Sequence, residues 1–307
     1  MNPQTTKYPS LKKVYNNTFS LLKHNKLLFI PFAIFTILEL LALIFIYISP
    51  RMPFVIVLGP PIKAFFGERF LHYPMNFVLI PKLAGITRTV LSILAGSYLS
   101  AVAVQVISNL YEKRAVRMIN VFKASFRKYA AFFLVVLIIT IIFQGALQLP
   151  SVGLRKYFLT GHKTLLFLKP AMWFGPLLSS ISFLISVLIQ ACFAYVIPVL
   201  VIEKVNPFKA LLKSCGLFFK SFFPTIVLVG IPMLAYVPII ILQYNTLLII
   251  NKFYPELVLF IAFLNVLITS LFVDVSITVS TALYYLMKKD SLLQDNKTLG
   301  IAEEIQK

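Results

Sequence analysis

Six long apolar runs separated by polar segments set the pattern of the chain: Leu27 to Ile48, Ile86 to Ser108, Ala130 to Gln148, Leu177 to Ile202, Phe223 to Ile249 and Leu257 to Leu286. Each is about the length that a helix rising ~1.5 Å per residue needs to cross the ~30 Å hydrocarbon core of a bilayer. In lipid a spanning segment must satisfy its own backbone N–H and C=O groups, and a helix does so. The predicted fold is therefore all-α, a polytopic membrane helix bundle of about six transmembrane helices. The run from Leu27 follows a polar lead ending at Lys26 and has no small-residue cleavage site behind it. It reads as a retained anchor rather than a secretory signal.

The polar segments before the odd-numbered runs have a helical period of their own. In the first, Leu11, Val14, Tyr15, Thr18 and Leu22 share one face while Lys12, Asn16 and Lys23 take others. In the second, Ile119, Phe122, Phe126 and Tyr129 form the stripe, surrounded by Arg117, Lys123, Arg127 and Lys128. In the third, Asn206 and Pro207 are a cap residue and a proline at the first helical position, where a missing N–H is tolerated. Phe208, Leu211, Leu212 and Cys215 then line one side, with Lys209, Lys213 and Lys220 on the other. The pattern predicts three basic amphipathic helices lying along the inner face. The chain then divides into one integral domain, 1–287, with three candidate hairpin units at 11–109, 112–202 and 203–287, followed by a tail, 288–307. The tail mixes charges of both signs, reads as partly disordered and is given no role.

Composition agrees with this pattern. With 59% hydrophobic and 13% charged residues, the chain is far from the roughly 45–50% and 25% of a soluble domain. The 29 Lys and Arg against 10 Asp and Glu flank apolar runs and form no separate basic domain. They therefore point to anionic lipid headgroups as partners and not to nucleic acid. Alternating the connecting segments places 19 Lys and Arg on one side and 10 on the other, Arg88 being counted with the latter at the outer start of the second run. Both termini are thus expected on the cytoplasmic side of the cell membrane.

Prolines mark two segments. Pro50, Pro53, Pro60, Pro61, Pro74 and Pro81 rule out one continuous helix in the long outer connector from Ser49 to Gly85, which reads as a packed, interfacial or re-entrant loop. Pro232 and Pro238 lie inside the fifth run, where a kink or local unwinding is expected.

Polar residues inside the runs carry the candidate chemistry, because a charge at the bilayer centre costs at least about 2.5–3.5 kcal/mol. Glu39, Asp274 and Gln190 each lie twelve residues from the inner end of their run, roughly 18 Å deep, and Gln144 lies within roughly 3 Å of that level. The four form a candidate intramembrane cluster. Neither acid has an evident basic partner in the runs. Cys192 in a span and Cys215 in a cytoplasmic segment are placed about a membrane thickness apart, so no disulfide is expected. His24, His72 and His162 lie in three separate connectors, so no metal site and no cofactor are predicted. No phosphate loop, dinucleotide loop, nucleophile elbow or zinc motif is present, and no catalytic residue is assigned.

The stretch PVLVIEKVNPFKALLKSCGLFFK, Pro198 to Lys220, resembles the membrane domain associated with glycerophosphoryl diester phosphodiesterases and related multi-span proteins. Pro198, Glu203, Ala210, Leu211, Ser214 and Lys220 carry the resemblance. It implies membrane architecture and a link to lipid or envelope metabolism, without the phosphodiesterase activity, which resides in a separate soluble domain that the last twenty residues cannot form. Pro198, Glu203, Asn206 and Pro207 read as a structural connector in which Glu203 pairs with Lys204 or Lys209, or accepts from the start of the following helix. The readings are a noncatalytic membrane component with a separately encoded protein partner, and a transporter or lipid-handling protein. A third is an intramembrane enzyme built on the two acids. A continuous polar cavity reaching Glu39 or Asp274 would favour transport, and a dry bundle the first.

Overall fold

The computed structural model describes residues 9–159 and 170–305, all helix and connecting turns without a strand; His162 lies outside them. Helix α1 (Leu11–His24) leads through a 3₁₀ turn into α2 (Phe29–Ile48). Helix α3 (Val55–Phe66) occupies the long connector. Helix α4 (Asn76–Leu91) passes through a π-helical turn, Ser92–Gly96, into α5 (Ser97–Tyr111). Then come α6 (Met118–Phe126), α7 (Tyr129–Leu159), α8 (Pro170–Phe193) and α9 (Val196–Glu203). The last third comprises α10 (Pro207–Lys220), α11 (Phe222–Leu234), α12 (Val237–Tyr244), α13 (Thr246–Lys252) and α14 (Glu256–Leu267), which a second π-helical turn, Ile268–Val273, joins to α15 (Asp274–Ile305).

Five stretches are long and apolar enough to cross a membrane: Lys26–Ile48, Asn76–Tyr111, Tyr129–Leu149, Leu178–Glu203 and Glu256–Leu293. A sixth arises if α10 and α11, bent by 100°, count as one. Three boundaries differ from the hydropathy pattern. The second stretch begins at Asn76, ten residues before Ile86, because Pro81 falls early in α4 and costs a single backbone bond. The fifth run is three short helices, broken at Ala235–Tyr236 and at Asn245. Pro238 has no N–H for the carbonyl of Leu234 and instead sits in the first turn of α12. The tail predicted to be loose continues α15 to Ile305.

Helix α5 is the centre of the bundle. Ala101, Val102, Ala103, Val104, Val106 and Ile107 are at most 1% exposed, so the helix is enclosed on all sides, by α2, α6, α7, α9 and α15. Small residues on α5 and α15, Ala101, Ala103 and Ala282, permit close approach of the two backbones. The largest buried cluster gathers here and draws in Val14 of α1, Val199 and Leu200 of α9, Ala210 of α10 and Leu228 of α11. We call this the basic end, since α1, α6 and α10 pack around it. Helix α2 shows the opposite distribution from a water-soluble helix. Glu39 and Thr36 are buried, whereas Ile30, Ile34, Ile37, Leu41 and Ile44 make an exposed aliphatic stripe.

The three short basic helices bury faces other than one simple apolar stripe. In α1 the expected Val14 and Thr18 are buried, and Tyr15 donates to the Val227 carbonyl at 3.0 Å. In α6 the buried residues are Val121 and Ser125, while Ile119 and Phe126 are largely exposed. In α10 they are Ala210, Ser214 and Phe218, and Phe208, Leu212 and Phe219 are left exposed. The last two helices fold back on the bundle: Tyr98 of α5 touches Phe122, Phe126 and Tyr129, and α10 packs along α9 to reach α8. Each therefore has one face on protein and a second apolar face outside.

This fold-back corrects the placement of the cysteines. Cys192 Sγ and Cys215 Sγ are 3.3 Å apart as free thiols, and Ser214 donates to the Cys192 carbonyl at 2.7 Å. Span-depth counting treats α10 as leading away from α8, whereas the turn at 204–206, with Lys204 left-handed at φ 55°, reverses it. The connector is corrected too. Glu203 is held by Lys213, with both carboxylate oxygens 2.6 Å from Nζ, and by the Tyr285 hydroxyl, in place of Lys204 or Lys209. Asn206 caps α10 in extended conformation without a side-chain bond.

Candidate functional site

Two helix irregularities and one break converge midway along the bundle. Arg88 lies in the last turn of α4, just before the first π-helical turn. Thr269 and Ser270 lie inside the second, and Asp274 is the first residue after it. In an α-helix, residues five apart point about 140° away from each other, but a π-helical turn stacks them. Thr269 and Asp274 are therefore able to face one guanidinium. Glu39 comes from the buried face of α2.

Arg88 Nη2 donates to Asp274 Oδ2 at 2.8 Å, Nη1 donates to Thr269 Oγ1, and Nε lies 3.5 Å from Glu39 Oε1. Ser270 donates to Glu39 Oε2, and Thr269 passes its own proton to the Asn265 carbonyl at 2.6 Å. The rigid fork of the guanidinium thus ties α2, α4 and the last long helix together. The side chain of Glu39 is 2% exposed, that of Arg88 26% and that of Asp274 39%. The Asp274 exposure is inward, onto a cavity.

That cavity, of about 700 Å³, lies between α4, α7, α8, α12 and the second π-helical turn, in the half of the bundle away from the basic end. Its walls carry Gln144 and Thr140 of α7, Ser182, Ser186 and Gln190 of α8, and Tyr236 at the break between α11 and α12, with Arg88 and Asp274 at the floor. Ser182, Ser186 and Gln190 recur every four residues, which with Ser179 makes one polar face on a largely apolar helix. On the other side of Asp274 a cavity of about 230 Å³ extends toward the basic end, past Ser97, Ser100 and Thr278. Ser92, Gln190 and Asp274 line both cavities. A third space of about 90 Å³ lies behind Arg88, among Glu39, Gln243 and Asn265.

Of the four predicted residues, Gln144, Gln190 and Asp274 share the large cavity, and Glu39 sits behind Arg88 without reaching it. The expectation that the acids lack a basic partner is overturned. Arg88 lies twelve residues into its helix, about 18 Å along it, because the helix starts at Asn76. Thr269, Ser270, Tyr236 and Asn265 escaped the sequence reading altogether. Hydroxyls are common in membrane helices, and the irregular turns that aim these have no compositional mark.

The predicted lipid contacts are remote from the cavity. Arg127, Lys209 and Lys220 are exposed and Lys128 half-buried, while Lys213 is committed to Glu203. Among the described residues no three His, Cys, Asp or Glu side chains gather as a metal set. Comparison with protein-family profiles, curated proteins and solved structures finds no match to this chain.

Proposed function

We propose that this protein is an integral membrane protein that admits a polar solute into its bundle and carries it past the Arg88–Asp274 pair. The observation that supports this most is the cavity of about 700 Å³, with hydroxyl and amide groups among its apolar walls, that ends on the Arg88–Asp274 ion pair. A scaffold that works only through its surface has no use for ionisable groups whose desolvation is costly. Discontinuous helices add support, since in membrane bundles irregular backbone is tolerated where it lines a cavity. The exposed stripe on α2 supports lipid as the surrounding solvent.

In this reading the basic end faces the cytoplasm. Arg127, Lys209 and Lys220 meet anionic headgroups there, and the outer apolar faces of α6 and α10, with Ile119, Phe126, Phe208, Leu212 and Phe219, enter the same leaflet. The resemblance around Pro198 to Lys220 supports a place in lipid or envelope metabolism, without an enzymatic activity of its own. A separately encoded partner would then dock on the basic end.

The test is solvent access. With Cys192 and Cys215 replaced by serine, Ser182→Cys and Ser186→Cys are expected to react with a membrane-impermeant maleimide from the non-cytoplasmic side. Ile37→Cys, on the lipid-facing stripe, is the control. Cavity positions labelled no faster than Ile37→Cys would remove the solute reading.

A further inference from the structure

Resting on the reading of the cavities as a solute path, we propose that the path takes monovalent cations, either alkali ions or protonated amines. The cation replaces Arg88 on Asp274 while Arg88 falls back on Glu39. The first argument is charge. Among the described residues, Arg88 and Asp274 are the only charged side chains lining the two cavities, and Glu39 stands directly behind. Two carboxyl groups face one guanidinium, so with both acids ionised the cluster holds one negative charge in excess, which attracts a cation and repels an anion.

The second argument is hydrogen-bonding capacity. Arg88 gives one N–H to Asp274 and one to Thr269 and turns Nε toward Glu39, so the guanidinium is directed at the two acids and the hydroxyl beside it. Asp274 is bonded through Oδ2 alone among the described residues, and its side chain opens onto the cavity. It is the acceptor that an arriving cation meets.

The third argument comes from behind Arg88. Glu39 Oε1 and Asn265 Oδ1 are buried with no hydrogen bond, and both residues line the space of about 90 Å³ there. Buried acceptors left unbonded are costly and call for a donor. Arg88 is that donor. Once a cation occupies Asp274, the freed Nη2 can turn to these oxygens, with Nε already 3.5 Å from Glu39. The exchange needs no proton transfer, since the arriving cation supplies the positive charge that Arg88 withdraws from Asp274. It also occurs where Ser92, Gln190 and Asp274 line both the large cavity and the one toward the basic end, so Asp274 is presented to a cation in either.

The experiment uses purified full-length protein in liposomes held at an inside-negative potential. The probes are radiolabelled sodium, rubidium and methylammonium, with chloride and phosphate as anion probes. Uptake of at least one cation above protein-free liposomes is expected, with the alkali and amine arms identifying the class. Asp274→Asn should slow it by about tenfold or more, and Ile37→Val, on the exposed stripe of α2, should leave it unchanged. Gln190→Leu, which disturbs no charge, should also stop uptake while the protein elutes as a single species, and this guards against misfolding of Asp274→Asn. Anion uptake in preference to cations, cation uptake unaffected by either variant, or no cation uptake at all would overturn the proposal. If Ser186→Cys is labelled yet no cation enters, the cation path falls and the cavity reading stands. An unlabelled Ser186→Cys removes both.

Discussion

Arg88 has the most to lose from substitution. Removing one member of a buried ion pair leaves the other uncompensated, which typically costs about 3–5 kcal/mol. Arg88→Ala should therefore lower the thermal midpoint in detergent sharply, because Glu39, 2% exposed, would lose the cation that offsets the cost of its burial. Combining Arg88→Met with Glu39→Gln and Asp274→Asn should restore most of the loss, since the three charges then leave together. A triple variant no more stable than Arg88→Ala would show that the network is not what holds these helices. A second residue prediction concerns Glu203, which joins α9 to α10 and α15 through Lys213 and Tyr285. Tyr285→Phe should cost about 1–3 kcal/mol, as for a hydrogen bond to a charged group, measured by the same midpoint; no change would make the contact incidental. The acids Glu39 and Asp274 were legible in the sequence because a carboxylate in an apolar run is conspicuous. Arg88 was hidden by its neighbours: Pro81, Lys82 and Gly85 imitate a loop, and only the backbone reveals that the helix runs through them.

At the scale of elements, the irregular turns and the fold-back of α10 account for most of what the apolar pattern could not supply. Five of the six apolar runs coincide with helices long and apolar enough to span, since desolvation in lipid depends on composition, whereas the fifth run is broken into short helices. A π-helical turn is a local choice of hydrogen-bond partner and depends on packing. Gly96 closes the first such turn, and a Cβ placed there would lie 3.3 Å from the Phe35 ring. Gly96→Val should cost about 1–3 kcal/mol through overpacking. Gly145→Ala, where a Cβ meets nothing within 4 Å, should be neutral or stabilise slightly. Equal midpoints for the two would argue against close packing of α2 on this turn. The fold-back predicts chemistry as well. Thiols 3.3 Å apart need to close only to about 2.05 Å to form a disulfide. Copper phenanthroline should therefore join Cys192 to Cys215 within one chain, seen as a linked peptide by mass spectrometry. If both thiols stay open to alkylation after oxidation, α10 does not lie on α8 as described.

The molecule as a whole is packed at one end and open at the other. Around α5 the basic end is filled by buried side chains, while the opposite half holds the large cavity. The same order recurs three times: a short basic helix, a long apolar segment, and a returning helix broken on its way back. The breaks fall at Ser92–Gly96, at Ala194–Tyr195 and at Ile268–Val273. The first two signals of this order, basic segment and apolar hairpin, were visible in the sequence as three units, whereas the breaks were not. The proposed orientation rests on the distribution of charge. With Arg88 inside the bundle, the non-cytoplasmic side loses one of the ten basic residues counted against nineteen, so the bias toward both termini inside increases. In a background without cysteine, single cysteines at Ser20, Tyr73 and Leu292 test this in intact cells. An impermeant thiol reagent should modify Tyr73→Cys at once, because Tyr73 is 64% exposed in the long connector, and should reach Ser20→Cys and Leu292→Cys only after permeabilisation. Labelling of Ser20→Cys in intact cells would invert the topology and turn the large cavity toward the cytoplasm. The solute would then enter the protein from inside, and the basic helices would lie in the outer leaflet, where anionic headgroups are scarce.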